Sequence, residues 1–446
     1  MIPEDFMSSG APTIEQALEC FLTGVSRITE TEQVPLLRSS GRVLAEEIRA
    51  PFSVPSFPKS AMDGYAVRSD EVKQATKEHP VSLRVLGEIL AGDRVDGFRT
   101  KSERGSGSAS SDGTSLTAYR IMTGAQVPDG YDAVVREEDT DYGESEVRIF
   151  KGVSQYQNYC RVGEDIREGE VILPEGTLLG RTEIGTLASM GIFRVSVRRK
   201  LRVRIICTGS ELLEVGAFSP NENITEEDGS GSVAALTGTV PPEGKIYNSI
   251  AYMLEASILD AGFEASHVIC RDETEEIRDA ILEASEEADV ILTTGGVSVG
   301  KKDLLPEILE MIGAETRFRR ARIQPGTPTI GASFHEKSVL CLSGNPYAAV
   351  ANFDLYFWPL AAGLTGCDAF LPTVEEAILV TPYEKVNVMR RLIRARVENG
   401  HVSLPAKSHA SSVLSNLMTC NCYLDLPEGQ KISVGDRVTI RRFMFN

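Results

Sequence analysis

Positive charge is scarce in this chain. Lys and Arg number 46 against 64 Asp and Glu in 446 residues, a formal net charge of −18. Duplex nucleic acid and anionic membrane surfaces recruit proteins through Lys and Arg, so neither is an expected partner. An anionic substrate would need a local cation cluster or a bound metal to reverse the field where it binds. No apolar stretch reaches membrane-spanning length, and Met1-Ile2-Pro3-Glu4-Asp5 lacks the basic start of a secretion signal, so a cytoplasmic protein is expected. His79, His267, His335, His401 and His409 show no metal-ligand spacing, and no nucleophile motif supports a hydrolase triad. The eight cysteines include no CxxC pair, and Cys420-Asn421-Cys422 is too tightly spaced for an ordinary zinc site. Cys20, Cys207, Cys270 and Cys341 fall in apolar runs and read as buried free thiols of a reducing compartment.

What is present is enough chain for about three domains of ordinary size and a hydrophobic content of 42%, normal for a globular protein. From Leu201 onward the pattern alternates regularly between short apolar strands and helical periods. Ala288-Asp289-Val290-Ile291-Leu292-Thr293-Thr294-Gly295-Gly296-Val297-Ser298-Val299-Gly300-Lys301-Lys302-Asp303 is the centre of that alternation. Val290 to Leu292 predict a strand buried on both faces. Gly295, Gly296 and Gly300 then allow a tight loop whose N–H groups can cradle an anion, and Asp303 precedes a helical period. Ile205-Ile206-Cys207-Thr208-Gly209-Ser210-Glu211 and Val339-Leu340-Cys341-Leu342-Ser343-Gly344-Asn345-Pro346 repeat the design, the latter leading into a helix over 347–360. If the three strands are parallel, their loops meet at one sheet edge, where open α/β sheets bind ligands.

Elsewhere, Thr13 with Gln16 predicts a capping box on a helix through Leu18, Phe21, Leu22 and Val25. Leu36, Val43, Leu44 and Ile48 predict a second helix within 34–51, closed by Pro51. Strands are expected at 81–86, 120–122 and 133–135, and mixed strand and helix signals through 166–200. Asn248 or Ser249 should cap a helix ending at Gly262, and His267 to Cys270 should form the next strand, followed by a helix through Ile277 and Ile281. The Ser/Gly-rich stretch 100–117 and the stretch 218–245 read as surface insertions. Beyond Leu371 a small β domain is expected.

Asp303 alone is readable as an N-cap, Glu211 as a solvated helix start and Asp272 as a strand end. Three carboxylates at matching positions in successive βα units point instead to hard oxygen ligands, which suit Mg2+ together with substrate phosphates. Arg317, Arg319, Arg320 and Arg322 precede Ile323-Gln324-Pro325-Gly326-Thr327-Pro328, and a solvated basic face and an anion-recognition loop are equally compatible with them. Lys301 and Lys302 have the same two readings.

Six motifs together carry a family resemblance: Ser60-Ala61-Met62-Asp63-Gly64-Tyr65-Ala66-Val67-Arg68, Ile121-Met122-Thr123-Gly124-Ala125, Gly163-Glu164-Asp165-Ile166, Thr208-Gly209-Ser210-Glu211-Leu212, Gly295 through Gly300, and Ser343-Gly344-Asn345-Pro346. In this order the chain resembles the molybdopterin molybdenumtransferases, to which the C-terminal domain of gephyrin is related. The resemblance implies a multidomain α/β protein: a helical and mixed linker part (1–51 and 166–200), an inserted β-rich lobe (52–165), a three-layer α/β molybdopterin-binding domain (201–370) and a C-terminal β-barrel (371–446). It implies a homodimer that inserts molybdate into adenylylated molybdopterin with Mg2+-dependent release of AMP. Asp63, Thr123 and Asp165 would serve from the lobe, with Glu211, Asp272 and Asp303 as catalytic metal ligands. Gly295, Gly296, Ser298, Gly300, Gln324, Pro325, Gly326, Pro328, Ser343, Gly344, Asn345 and Pro346 would bind substrate. A tungstate-inserting paralogue and a catalytically weakened binding or scaffold protein are the alternatives. Many members have Lys-Pro-Gly-Lys-Pro at 324–328 and Pro-Gly-Asn-Pro at 343–346, so two cations expected near the anion site are missing here, and Val388-Met389 also stands where a Gly-Arg pair is usual.

Overall fold

Branched apolar runs build the centre of the larger of two units, which comprises residues 1–45, 176–180 and 194–446. The computed structural model describes residues 10–95, 116–216, 240–297, 304–406 and 409–444. Arg202–Thr208 (β1), Glu264–Cys270 (β2), Val290–Thr294 (β3), Glu315–Arg319 (β4), Ile330–Phe334 (β5) and Lys337–Leu342 (β6) form one sheet in the order β2-β1-β3-β6-β5-β4. The first four in that order are parallel, and β5 and β4 complete the sheet as antiparallel strands. Every residue of β3 is buried, as the uninterrupted apolar run predicts.

Helices cover both faces. Ile14–Leu22 (α1), Ser249–Asp260 (α2) and Pro346–Thr365 (α5) bring Phe21, Leu254, Phe353 and Trp358 against Val203, Ile205, Leu292 and Leu340. On the other face, Thr274–Glu287 (α3) and Leu304–Met311 (α4) bring Ile277, Ile281, Leu305 and Ile308 against Ile206, Ile291 and Val339. The result is a three-layer domain. Pro359 lies inside α5, where proline costs about 3 kcal/mol. Burying a Leu, Ile or Phe returns about 1.5–3 kcal/mol each, so buried Phe353, Phe357 and Leu360 outweigh that defect. Local signals agree with the helix ends: Thr13 and Gln16 make the expected capping box, Asn248 Oδ1 accepts from Ala251 N, and Gly262 follows α2 at φ +80°.

After α5 the helical period gives way to strands Val374–Leu379 (β7), Arg390–Glu398 (β8), His401–Ser403 (β9), Cys422–Leu426 (β10) and Arg437–Arg442 (β11). They pair as β8-β9-β7-β11-β10 and back to β8, a closed five-stranded barrel filled by Leu379, Ile393, Val402, Leu424 and Ile440. β9 pairs with β8 only at Arg396–Glu398, so the start of β8 keeps an open edge on that side. Ile323–Gln324, from the α/β domain, adds to β8 in parallel at Arg390–Arg391.

The smaller unit spans 46–175 and 181–193. Its sheet has the strand order Ala133–Arg136, Gly64–Val67, Thr117–Ile121, Val81–Ile89, Glu146–Ile149. Apolar side chains pack on both faces, Tyr65, Val67, Leu83 and Val135 on one, Ala66, Ile89, Ile121 and Val134 on the other. This is the expected β-rich lobe.

Two expectations are corrected. The helix within 34–51 does not form. Thr31–Pro35 is a strand paired with Arg194–Arg198, Leu36–Arg38 makes a single 3-10 turn, Gly41 sits at φ +73°, and Val43 and Leu44 form bridges to Leu178 and Val197. Distant partner strands satisfy this backbone, overriding a helical spacing that rested on four residues. Cys20 is exposed, whereas Cys207, Cys270 and Cys341 are buried as expected; α1 turns Ala17 and Phe21 inward and leaves Cys20 on its outer side. The insertion expected at 100–117 lies outside the described residues up to position 115, and that at 218–245 up to 239. Among the described residues no helix is long and apolar enough to cross a membrane.

Candidate active site

The order β2-β1-β3-β6 places a topological switch between β1 and β3, because the chain leaves β1 toward β2 on one side and β3 lies on the other. The loops after β1, β3 and β6 therefore gather at one edge. They touch through glycine. Gly295 stands at φ +94°, its N–H donates to Leu342 O at 3.0 Å, and a Cβ there would lie 2.5 Å from Thr208 O. A Cβ on Gly344 would lie 3.3 Å from Gly295 Cα. No larger side chain fits where these backbones meet.

Beside this junction stand two of the expected carboxylates. Ser210 N donates to Asp272 Oδ2 at 3.2 Å, Gly209 N to Cys270 O at 3.1 Å, and Lys245 Nζ to Ser210 O at 2.5 Å. The first two of those bonds tie the loop after β1 to the end of β2 and the loop that follows it, so Glu211 and Asp272 lie on joined, exposed turns. Two exposed carboxylates on a backbone-braced edge fit a hard cation that completes its shell with substrate oxygens. No group of three metal-binding side chains occurs among the described residues. Ser298, Gly300, Lys301, Lys302 and Asp303 lie outside them.

At the other end of the edge, β6 runs into α5 beside a cleft of about 510 Å³ lined by Gln324, Thr327, Ser343, Asn345, Arg391, His409 and Ser411, among others. That volume is in the ordinary range for a small-molecule site. Of the expected binding residues, Gln324, Pro325, Gly326, Pro328, Ser343 and Asn345 line it. The loop is stiff: Gly326 is at φ +89°, where a Cβ would collide with Asn352 Nδ2, and that amide donates to Pro325 O at 3.0 Å. Thr327 Oγ1 donates to Ile323 O at 2.6 Å, so this hydroxyl proton serves the loop.

Ser343 Oγ accepts from Asn345 N at 3.2 Å, and Ser411 Oγ accepts from Asn345 Nδ2 at 2.9 Å. Each hydroxyl keeps its own proton to donate into the cleft. Tyr347 N donates to Ser411 O at 3.2 Å, tying the His409–Ser411 segment to the first turn of α5. Buried Arg394 stacks 3.9 Å over the Tyr347 ring and donates to Ala410 O at 2.7 Å and to Val413 O. His409 Nδ1 and Asn345 Oδ1 are buried without a hydrogen-bond partner. Burial, followed by the charges of Arg394, Arg391 and Lys385, pushes the His409 imidazole below its ordinary pKa.

Arg391, His409 and Ser411 were missed by sequence reasoning. Arg391 reaches the cleft because β8 pairs with Ile323–Gln324, a contact between distant segments with no local signature. The only local hint for the other two was the polar run Ser408-His409-Ala410-Ser411-Ser412. Among the described residues none of Arg317, Arg319, Arg320 and Arg322 lines the cleft; Arg317 pairs with Glu315 and Arg322 with Glu428. Val388 and Met389 do not line it either.

In the smaller unit, Asp63 Oδ1 accepts from Thr123 N at 2.6 Å and Thr123 Oγ1 at 2.7 Å. These bonds, the backbone one first, hold the exposed Asp63 carboxyl below its ordinary pKa. Gly64 is required next to it, since a Cβ would lie 1.9 Å from Val135 O. Exposed Asp165 is held through its backbone, Asp165 N to Val54 O at 3.1 Å. No hydrogen bond among the described residues joins its carboxylate to the Asp63–Thr123 pair.

Comparison with known proteins covers nearly the whole chain. Residues 12–191 match the MoeA N-terminal region (domain I and II), residues 204–362 the family described as "Probable molybdopterin binding domain", and residues 376–443 the MoeA C-terminal region (domain IV). A molybdopterin molybdenumtransferase of Staphylococcus epidermidis is 34% identical over 402 residues, covering 89% of this chain and 87% of the relative. Its namesake in Staphylococcus aureus strain COL is 32% identical over the same shares. A molybdopterin biosynthesis moeA protein from Pyrococcus horikoshii superposes with a TM-score of 0.76 at 28% identity, covering 97% of this chain and 100% of that structure. With a relative of this identity matched over most of both lengths, the chain belongs to the molybdopterin molybdenumtransferase family of transferases in molybdenum cofactor biosynthesis.

Proposed function

We propose that this protein inserts molybdate into adenylylated molybdopterin and releases AMP, with Mg2+ required. The observation that carries this reading is one sheet edge bearing an exposed carboxylate pair at one end and, at the other, a cleft whose described lining contains no carboxylate. Glu211 and Asp272, with Asp303 from the loop after β3, would hold Mg2+. When bound, the metal polarises the phosphoanhydride and makes its phosphorus easier to attack.

The protein's own groups do the rest. Backbone N–H groups of the Gly295–Gly300 loop bind the pterin phosphate. Ser343 and Ser411 donate hydroxyl protons to the oxyanion, and the first turn of α5 adds the positive end of a helix dipole. Asp63, held ionised by Thr123, and Asp165 complete the site from the lobe. We place that lobe on the second subunit of a homodimer, so the site is composite. A cytoplasmic setting would keep the free thiols reduced. Tungstate is close to molybdate in size and charge and would enter the same cleft.

The test is incubation of purified protein with adenylylated molybdopterin, Mg2+ and either oxyanion, following AMP. Release that requires both metal and oxyanion is expected. No release, from protein that remains folded, would reduce the chain to a molybdopterin-binding protein.

A further inference from the structure

We propose that Arg391 is the residue that sets oxyanion affinity in the cleft, replacing from a barrel strand the cations that many family members carry at positions 324 and 327. It rests on the molybdenum-insertion reading and assigns its anion contact. Arg391 is half-buried and lines the cleft, and its guanidinium has no hydrogen-bond or ion-pair partner among the described residues. The other arginines of the barrel strands around it are paired. Arg390 grips Asp425 and Glu15, Arg394 gives both terminal nitrogens to the carbonyls of Ala410 and Val413 and keeps only its buried Nε without a partner, Arg396 pairs with Glu398, Arg441 with Asp425, and Arg442 with Glu375. In a chain of net charge −18, one half-buried arginine left unpaired in a cleft without a described carboxylate marks a place prepared for a negative ligand.

The register explains how the charge could change position. Gln324 and Arg391 are direct partners on adjacent parallel strands, so a cation lost at 324 is replaced about 4.8 Å away, one strand over. The chemistry also differs from that of lysine. A guanidinium offers two parallel N–H groups to two oxygens of one tetrahedral dianion, while an ammonium acts as a point charge. Ser343 and Ser411 supply the neutral donors, and Gln324 adds an amide without charge. The ligand class is therefore a tetrahedral oxyanion of the molybdate, tungstate and sulfate type, held chiefly by one arginine.

The experiment is calorimetric titration of sodium molybdate into the full chain, with thermal unfolding run on each variant. Arg391→Ala and Arg391→Gln should each weaken binding roughly ten- to a hundredfold. Arg391→Lys should fall between them and the parent, and adding Gln324→Lys to Arg391→Ala should restore most of the affinity. Unchanged affinity in both the Ala and Gln variants, or no binding by the parent at millimolar molybdate, overturns the inference. AMP release separates the two readings. If the parent releases AMP and Arg391→Ala leaves the half-saturating molybdate concentration unchanged, the assignment of Arg391 fails while the enzyme reading stands. If Arg391→Ala abolishes molybdate binding in a parent that releases no AMP, the assignment stands and the enzyme reading fails.

Discussion

At the β1 end of the sheet edge, Glu211 and Asp272 stand on exposed turns joined by the Ser210–Asp272 hydrogen bond; at the β6 end, the described lining of the cleft holds Arg391, His409 and serine hydroxyls and no carboxylate. The same sheet supports both, and the same net charge of −18 surrounds both. The sign of charge at a ligand is therefore decided over a few side chains. Coulomb interactions between exposed charges fade beyond about 8–10 Å in physiological salt, so an acidic protein can keep an anion site by leaving one guanidinium unpaired. Proposed metal chemistry and proposed anion binding are divided between the two ends, and the predictions below test that division.

The largest effect is expected at the acidic end. Asp303→Asn exchanges one N-capping residue type for another but removes a charge from the proposed metal site. A metal ion supplies several kcal/mol of charge stabilisation to a transition state and about 1.4 kcal/mol is tenfold in rate, so AMP release should fall by roughly a hundredfold or more. Unchanged turnover would return Asp303 to a capping role. Next is the composite site. Mixing Asp63→Ala with Asp303→Ala subunits should yield about a quarter of the parent activity if exchange is random, since half the dimers then hold one intact site. Demonstrated subunit exchange without recovery would place both groups in one chain's site.

The smallest effect concerns Asp63. Its pKa is lowered in the folded protein by Thr123, so its charge is present above that lowered value and is lost as pH falls through it. Thr123→Val removes the hydroxyl bond and keeps the backbone one. The Asp63 pKa should rise part of the way to the ordinary carboxylate value, and the acid limb of activity should move to higher pH with it. Carboxyl NMR titration reads this directly, and an unmoved Asp63 would show that the backbone bond alone sets the charge.

Much of the fold was legible because its signals are local. The buried run Val290–Leu292, the Thr13–Gln16 capping box and the Asn248 cap each depend on residues within a few positions. Three strand ends with glycine and a polar residue predicted the gathered loops, and β1, β3 and β6 are adjacent and parallel. The failures were non-local. Residues 34–51 have a helical spacing but pair with strands far along the chain, and Cys20 lies in an apolar run yet on the outer side of α1. At the site, the sequence offered Arg317, Arg319, Arg320 and Arg322, just ahead of the 323–328 loop, as either a solvated basic face or anion contacts. Among the described residues the arginine that lines the cleft is Arg391, delivered by a strand pairing that no local pattern announces.

The division between the two ends is tested most directly by AMP release from adenylylated molybdopterin, with Mg2+ and molybdate varied independently, in the parent and in Asp272→Asn. The account predicts that the half-saturating Mg2+ concentration rises about tenfold or more in the variant while that for molybdate stays where it was. A rise in both together would contradict it, because metal and oxyanion would then share one set of residues.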